Sequence, residues 1–182
     1  MKRASIVVVL ALIAAGAARV AAPAPAHRVG FSAALSCGVE RWSVKTLKDR
    51  PLLLPARPTT VAHLTSLPRP AHLPDKRLPF ERRVFTVVAS VTLDRAEADL
   101  DHHLVLRSGA RTMIAETPSP LCTSGAAAVR RAQMRVAGSA ARPCSRARVT
   151  GVAFFDFFHR QTGVAPNAIE LHPVLGFSCL SR

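Results

Sequence analysis

The alternation of polar and apolar positions in the C-terminal half of the chain predicts five β-strands. The first three apolar runs are Arg83 to Leu93, Asp101 to Arg107 and Arg111 to Glu116, and a Ser108-Gly109 turn joins the last two into a hairpin. The runs Ala147 to Phe158 and Ile169 to Phe177 follow later in the chain. Successive strand side chains point to opposite faces of a sheet, so these runs predict strands with one buried face.

A helix is predicted between the third and fourth strands. Residues 123–136 are rich in alanine and arginine, Thr123 or Ser124 would cap the beginning, and Gly138 would end it. The order β-β-β-α-β-β predicts a mainly β fold, a five-stranded OB-like barrel whose long first strand curves around to serve both sheets. A β-sandwich and an α+β meander are the alternatives.

The chain before the barrel divides into two further segments. Residues 1–26 combine a positive start, an uncharged apolar run of about 15 residues and an Ala-Pro-Ala site, which predicts a signal peptide cleaved after Ala26. Residues 27–80 are rich in proline and predict an irregular extension, with one short helix at 61–66 that Thr59 or Thr60 caps. Residues 81–182 form the predicted barrel domain.

Cleavage would leave a basic chain with four cysteines. Removing residues 1–26 leaves 22 basic and 11 acidic residues, a net charge of +11 over 156 residues. An even number of cysteines in an exported chain predicts disulfide bonds, and four cysteines allow three pairings. We expect Cys122–Cys144, because one helix is predicted between them, and Cys37–Cys179 as the second bond. We expect a secreted, periplasmic or cell-envelope protein with no transmembrane anchor after cleavage.

Several blocks of the sequence resemble a family of uncharacterised, secreted bacterial proteins. The blocks are Glu40-Arg41-Trp42, Val44-Lys45-Thr46, residues 101–106, residues 111–114, Phe154 to His159, Gln161 to Asn167 and Ile169 to Val174. They span about 40–178, and the blocks Gln161 to Asn167 and Ile169 to Val174 are the most specific. His102 departs from the pattern, since relatives more often carry an aromatic residue there. The resemblance implies export and one domain, and it implies no activity.

Six polar residues on the predicted strands are the candidate functional residues: Asp101, His103, Asp156, His159, Glu170 and His172. Asp101 and His103 share one face of the second strand, and Glu170 and His172 share one face of the fifth. The binding surface of an OB-fold lies on its second and third strands between the loops after strands one and four, so Asp101, His103 and His159 are expected near it. Carboxylates and imidazoles together could hold a divalent metal or act as general acid and base.

The candidate metal ligands are Asp101, His103, His159, Glu170 and His172, and a divalent metal is the one cofactor that these residues could hold. A structural interpretation competes with this one. Asp156 lies among four phenylalanines, and polar groups in such surroundings usually fix the shape of a loop.

A basic surface is the second candidate site. Arginines cluster around the predicted helix and its flanks, at Arg82, Arg83, Arg130, Arg131, Arg135, Arg142, Arg146 and Arg148. A charge of this size attracts polyanions, including acidic polymers or proteins of the envelope. The chain has no tyrosine, and Phe154, Phe155, Phe157 and Phe158 are expected to pack within one strand. The expected lack of stacking aromatics and the predicted export argue against nucleic acid as the partner.

The sequence favours an exported, non-enzymatic binding or structural module of unknown ligand. It contains no G-x-S-x-G, P-loop or H-E-x-x-H motif, so it offers no specific catalytic signature. Two alternatives remain, a metal-assisted hydrolase built on the polar residues and a polyanion-binding protein that acts through its arginines.

Overall fold

A closed barrel of five strands lies at the centre of the protein. The computed structural model describes residues 36–181, so the predicted signal peptide, residues 1–26, lies outside the described residues. The barrel strands are β2 (Val84–Ala96), β3 (His102–Ser108), β4 (Arg111–Thr117), β5 (Cys144–Phe155) and β6 (Ile169–Ser181). They follow the order β2-β3-β4-β6-β5, and β5 closes the barrel by pairing with β2.

The strand directions are those of an OB-fold. Only the β4–β6 pair is parallel among the five barrel pairings, and the other four are antiparallel. One helix, α3 (Ala128–Ala140), lies in sequence between the third and fourth barrel strands. The OB-like barrel predicted from the sequence is therefore confirmed.

β2 is the strand that bends from one side of the barrel to the other. Its first part, from Val84, pairs with β5, and its last part, to Ala96, pairs with β3. The register shifts between Ala89 and Leu93, as expected where a bulge increases the bend and twist of a strand. The prediction that the first barrel strand serves both sides is confirmed.

The barrel interior is apolar and draws on every strand. Its buried side chains include Val87, Leu104, Met113, Val149 and Leu171. The residues that alternate with them point outward, and a second, smaller apolar cluster covers the outer face of β5 and β6. The α3 helix contributes Met134 to that outer cluster.

Several predicted element boundaries were wrong, among them those of the helix and of β5. The helix begins at Ala128 rather than Thr123, because a 3-10 turn (Pro120–Cys122) and a loop come first, and it continues through Gly138 to Ala140. β5 ends at Phe155, not at Phe158; the next residue, Asp156, accepts a hydrogen bond from Lys45 of the N-terminal segment. Within residues 36–181, no helix is both long and apolar enough to cross a membrane.

The N-terminal segment, residues 36–80, packs into the same compact unit as the barrel. It contains α1 (Trp42–Lys45), a short strand β1 (Arg57–Pro58) that pairs in parallel with β2, and α2 (Val61–Ser66). The predicted cap of α2 is confirmed, because Thr60 Oγ1 accepts a hydrogen bond from the His63 amide at 3.0 Å. The N-terminal segment also buries four apolar side chains, Val44, Leu47, Val61 and Leu64. It therefore contributes to the core as well as covering it.

A buried ion pair fixes this segment to the barrel. The Arg41 guanidinium donates to both carboxylate oxygens of Glu81, at 2.8 and 2.7 Å, and both side chains are fully buried. Arg41 also donates to the Phe155 and Pro74 carbonyls, at 2.6 and 2.8 Å. Glu81 in turn accepts the amides of Leu78 and Phe155. This bidentate pair joins α1, the turn before β2 and the end of β5 at one point.

The two predicted disulfides, Cys122–Cys144 and Cys37–Cys179, were wrong. The structure pairs Cys37 with Cys122 and Cys144 with Cys179, with Cα–Cα distances of 5.6 and 6.0 Å. Cys122 and Cys144 flank α3, whose 13 residues carry the chain about 20 Å along its axis. Cys144 opens β5 and Cys179 nearly ends β6, and because these strands are antiparallel neighbours the two cysteines meet.

Candidate functional site

A patch of polar side chains lies on the outer face of β3, β4 and β6. His103 of β3 stands opposite Glu116 of β4, and Ile114 of β4 stands beside Glu170 of β6. Side chains that are paired across strands share a face of the sheet. Because β4 and β6 are parallel, Glu116 and His172, each two residues beyond the pair of Ile114 and Glu170, also meet on this face. This is the face on which OB-folds usually bind their ligands.

His172 is the centre of the patch and is completely buried. Its Nε2 lies 3.2 Å from Asp101 Oδ2, its Nδ1 lies 2.9 Å from Glu116 Oε2, and Nδ1 lies 3.9 Å from Glu170 Oε2. These contacts are close, but neither ring nitrogen of His172 has the alignment of a hydrogen bond. Both Asp101 carboxylate oxygens and Glu170 Oε2 likewise lack a hydrogen-bond partner. The contacts are therefore electrostatic, without the directional bonds that buried polar groups normally make.

His103 is held more tightly than His172. Its Nε2 lies 2.8 Å from the Thr162 carbonyl oxygen, and its Nδ1 lies 3.1 Å from Glu116 Oε1. Burial opposes the charged form, but these hydrogen bonds to Glu116 and Thr162 outweigh it and raise the pKa of His103. Both ring nitrogens then donate, so His103 ties the loop after β5 to the strand face.

Charges of both signs balance around Glu116. Burial alone would raise the pKa of Glu116, but the hydrogen bond from His103 and the positive charge of nearby His172 hold it well below its usual range. Burial opposes a charge on His172 as well, yet Asp101 and Glu116 raise its pKa well above the usual value. For Glu170, burial and the repulsion of Glu116 raise the pKa to about 7.

The N-terminal segment covers one side of this patch. Lys45 Nζ donates to Asp156 Oδ2 at 2.8 Å, and the Lys45 ammonium and the Arg41 guanidinium lie over the Phe154 ring at 5.5 and 4.6 Å. Burial works against the charge on Lys45, but Asp156 and more distant carboxylates raise its pKa above the ordinary value. Residues from the predicted irregular extension therefore belong to the site.

A pocket of about 330 Å³ opens between α1 and the loops of the barrel. Its walls come from residues 38–45, the loop before β3 and the loop after β5, and Glu116 of β4 also lines it. At the rim, His159 Nε2 lies 3.2 Å from Glu40 Oε2 and 3.8 Å from Asp156 Oδ2. Because Glu116 lines the pocket and contacts both buried histidines, it connects the pocket with the polar patch.

The acidic residues of the chain concentrate at this end of the barrel. Seven of its 11 acidic residues line the pocket or contact the polar patch, although the whole chain carries a net charge of +14. They are Glu40, Glu97, Asp99, Asp101, Glu116, Asp156 and Glu170. The segment 117–155, by contrast, contains six arginines and no acidic residue. Most acidic residues therefore gather at one end of the barrel, where Lys45 and the two buried histidines balance part of their charge, and the six arginines lie in a separate segment.

The structure divides the six candidate residues into two neighbouring groups. Asp101, His103, Glu170 and His172 meet in the buried patch. Asp156 and His159 meet Lys45 and Glu40 at the pocket.

The sequence analysis missed Glu116, Glu40 and Lys45 as members of the site. Glu116 ends the third predicted strand, which the predicted hairpin places beside the strand of His103, so this neighbourhood was a usable signal. Nothing in the local pattern around Glu40 and Lys45 indicates that they fold back over the barrel.

Three sets of side chains bring ligand atoms within 4.8 Å of one another, as a metal site requires. They are Glu40, Asp156 and His159; Glu97, His103 and Glu116; and Asp101, Glu116 and His172. In the first set, Asp156 already accepts a hydrogen bond from the Lys45 ammonium. In the second set, both His103 ring nitrogens already make hydrogen bonds, to Glu116 and to the Thr162 carbonyl. Among the described residues, the third set is the one whose buried nitrogen and oxygen atoms lack hydrogen-bond partners.

Comparison with known proteins finds no family for this chain and a partial likeness to solved structures. No protein-family model matches the chain, and no curated protein matches its sequence. Among solved structures, a protein designated as an aspartyl-tRNA synthetase of Leishmania major Friedlin is similar over 69% of this chain and 21% of its own, with 15% identity and a TM-score of 0.45.

Two synthetases of Entamoeba histolytica are also similar in structure. The asparaginyl-tRNA synthetase matches 72% of this chain and 24% of its own, with 13% identity and a TM-score of 0.38. The aspartyl-tRNA synthetase matches 72% and 26%, with 16% identity and a TM-score of 0.38. This chain thus spans about a quarter of the length of these proteins, and at this identity the likeness concerns the fold alone.

The argument against nucleic acid as a partner was wrong. The three similar structures named above are those of aminoacyl-tRNA synthetases. The expected lack of available aromatics also fails, because Phe157 and Phe158 lie on the loop after β5 and are 38% and 60% exposed. The Arg69 guanidinium lies 4.4 Å from the centre of the Phe158 ring.

Proposed function

We propose that the protein is an exported, non-enzymatic binding module that holds a small cationic ligand in the pocket between α1 and the barrel loops. The concentration of seven of the 11 acidic residues at this pocket and the patch behind it carries the proposal. In a chain with a net charge of +14, such a concentration makes this end of the barrel less positive than segment 117–155, and the Glu40 and Asp99 carboxylates of the pocket lining can attract a cation.

The pocket lining suits an ammonium or guanidinium group. Glu40 and Asp99 stand at the rim, Glu116 lies deeper, and Trp42 supplies an aromatic ring. Carboxylates provide charge-assisted hydrogen bonds, and an aromatic face attracts a cation. A volume of about 330 Å³ lies at the small end of the range of ligand pockets, about 300–1,000 Å³. We therefore expect a ligand no larger than an amino acid or a polyamine.

The residue types at the pocket favour binding over nucleophilic catalysis. Among the described residues that line it, none is a serine, threonine or cysteine. All four cysteines are paired in disulfides. These two disulfides also support the exported part of the proposal, because such bonds persist in oxidising compartments.

Isothermal titration calorimetry with spermidine, putrescine, choline and lysine methyl ester tests this proposal. Glu40→Gln and Asp99→Asn each remove one rim charge with little change of shape, and each should weaken binding of the best ligand about 10-fold or more, since a charged hydrogen bond contributes about 1.5–3 kcal/mol. Asp75→Asn, an exposed carboxylate elsewhere on the N-terminal segment, should leave the affinity unchanged. Absence of heat with all four amines, or equal affinity in all variants, would contradict the proposal.

The basic segment 117–155 supports a second candidate function, polyanion binding. Its arginines Arg131, Arg135, Arg142, Arg146 and Arg148 are exposed, and no carboxylate within the segment neutralises them. Binding through arginines releases counterions from a polyanion, so the affinity should fall steeply with salt.

Fluorescence anisotropy with a labelled single-stranded oligonucleotide at 50 and 200 mM salt tests the second candidate. Replacing Arg135 and Arg148 with alanine should lower the slope of log K against log salt by about one for each arginine that contacts a phosphate. An affinity that does not change with salt would rule out this function. Rim variants such as Glu40→Gln should not weaken oligonucleotide binding, which separates the two candidates.

A further inference from the structure

The buried set Asp101, Glu116 and His172 is a feature that neither the fold nor the proposed pocket ligand explains. Asp101 precedes β3, Glu116 lies on β4, and His172 lies on β6, so three separate elements bring these side chains together. Asp101 and His172 are fully buried, and Glu116 is 3% exposed. One ligand atom from each residue lies within 4.8 Å of the other two.

The hydrogen bonding of this set is incomplete in a way that points to a ligand. Both oxygens of Asp101 and both nitrogens of His172 lack an aligned hydrogen-bond partner. Glu170 Oε2, 3.9 Å from His172 Nδ1, also lacks one. A buried polar atom without an aligned hydrogen bond is costly, and five such atoms at one point, four of which have only ionic contacts, are unusual for a native interior.

We propose that Asp101, Glu116 and His172 form a binding site for a divalent transition metal ion of the Zn²⁺ type. One imidazole nitrogen and two carboxylate oxygens are ligands that such ions accept, and Glu170 is close enough to act as a fourth ligand after a side-chain rotation. A bound ion would satisfy the unpartnered oxygens and one ring nitrogen together. Hard cations such as Ca²⁺, which take six to eight oxygen ligands, fit this compact set poorly.

The ion would reach the set through the pocket. Glu116 lines the pocket and also contacts His172 at 2.9 Å, so it joins solvent to the buried ligands. The second oxygen of Glu116 accepts from His103, which fixes the orientation of the carboxylate. Such outer hydrogen bonds commonly position metal ligands. This metal site does not depend on the nature of the ligand in the pocket.

The test uses the tag-free mature protein after treatment with a chelator. Titration with Co²⁺ should give visible absorption bands that saturate at one equivalent, and Zn²⁺ should displace them. One equivalent of bound Zn²⁺ at about 100 times its dissociation constant should raise the melting temperature by about 5–10 °C, whereas Ca²⁺ should have no effect. Absence of both the Co²⁺ bands and the Zn²⁺ shift in the wild-type protein would overturn the proposal, whatever the variants do.

Variants locate the site. Asp101→Asn and His172→Gln keep the side-chain size, and each should weaken Zn²⁺ binding at least 100-fold in competition with a chromophoric chelator. His159→Gln is the matched control, because His159 belongs to the Glu40 and Asp156 set at the rim, and it should bind Zn²⁺ like the wild type. Loss of binding in His159→Gln, or unchanged binding in folded Asp101→Asn, would contradict the assignment. Glu40→Gln should weaken amine binding and leave Zn²⁺ binding intact. The amine proposal and the metal proposal can therefore fail separately, and this variant distinguishes the two failures.

Discussion

The buried pair of Arg41 and Glu81 gives the clearest prediction about what holds this fold together. We choose the substitution Arg41→Met, which keeps the unbranched stem and removes the guanidinium. Glu81 would then stay buried with two backbone amides as its only donors, from Leu78 and Phe155. The Phe155 and Pro74 carbonyls would also lose their donor.

The expected cost follows from the geometry of the pair. Both side chains are fully buried, and two hydrogen bonds of 2.8 and 2.7 Å join them. Removing one partner of a buried pair leaves an uncompensated charge and destabilises a protein by about 3–5 kcal/mol. For a domain of this size, we expect the melting temperature to fall by about 10 °C or more.

Urea denaturation followed by two signals measures this cost. Trp42, the only tryptophan, lies on α1 beside Arg41 and reports on the N-terminal segment, while far-ultraviolet circular dichroism reports on the barrel. In the wild type the two transitions should coincide, because the segment and the barrel share one core. Arg95→Met is the control: it breaks the Arg95–Glu97 pair, in which Arg95 is half-exposed, and should cost about 0–1 kcal/mol. A cost below about 1 kcal/mol for Arg41→Met, or a tryptophan transition well before the barrel transition in the wild type, would refute this reasoning.

Three further predictions concern the disulfides, the buried charges and one loop glycine. Peptide mapping without reduction should recover the Cys144–Cys179 bond. Replacing both cysteines with serine should lower the free energy of unfolding by about 4 kcal/mol, because the bond closes a loop with a sequence separation of 35. The folded state raises the pKa of His172 and raises that of Glu170 to about 7, so both groups bind protons more tightly when folded. Glu170 contributes its full stabilisation below pH 4.5 and His172 below pH 6.5, and each contribution is lost as the pH rises through the pKa that the group has in the folded state. The urea midpoint, measured in the presence of a metal chelator, should therefore be lower at pH 8.5 than at pH 5.5. An equal or higher midpoint at pH 8.5 would contradict this sign. Gly163→Ala should lower the melting temperature, because Gly163 has a φ of +89° and a Cβ there would lie 2.6 Å from a valine methyl group of β3. An unchanged melting temperature would show that the loop adjusts without cost.

The barrel was predictable from the sequence because its signals are local. Each strand has its own alternation of apolar and polar residues, and the one helix between the third and fourth strands selects the OB-fold order. The cap of α2 at Thr60 was predictable for the same reason, since a capping side chain bonds to an amide only three residues away.

The disulfide pairing depends on contacts between residues that are distant in sequence. The same holds for the part of the site that the N-terminal segment contributes. Cys144 and Cys179 meet because β5 and β6 are antiparallel neighbours, which spacing along the chain does not reveal. Lys45 reaches Asp156 across 111 positions, and its segment turns through Arg41 and Leu47, which both have positive φ although neither is glycine. A backbone conformation of this kind leaves no clear signal in the residue types.

The candidate strand residues fall between these two cases. Asp101, His103, Glu170 and His172 were identified because alternation places them on shared strand faces, and the structure brings all four into one patch. Their burial was not predictable, because it depends on the N-terminal segment and the loop after β5, which cover a face that would otherwise be open to solvent.

Backbone amide shift mapping by NMR tests the central claim most directly, because it locates a bound ligand without any substitution. The measurement is a titration of the ¹⁵N-labelled mature protein with the best amine from the calorimetric panel. The account predicts saturable shifts at residues 38–45, 97–103, 116 and 159–163, with little change along α3. Shifts confined to α3 and β5, or no saturable shifts at all, would contradict the claim that the acidic pocket on the OB-fold binding face is where this protein holds its ligand.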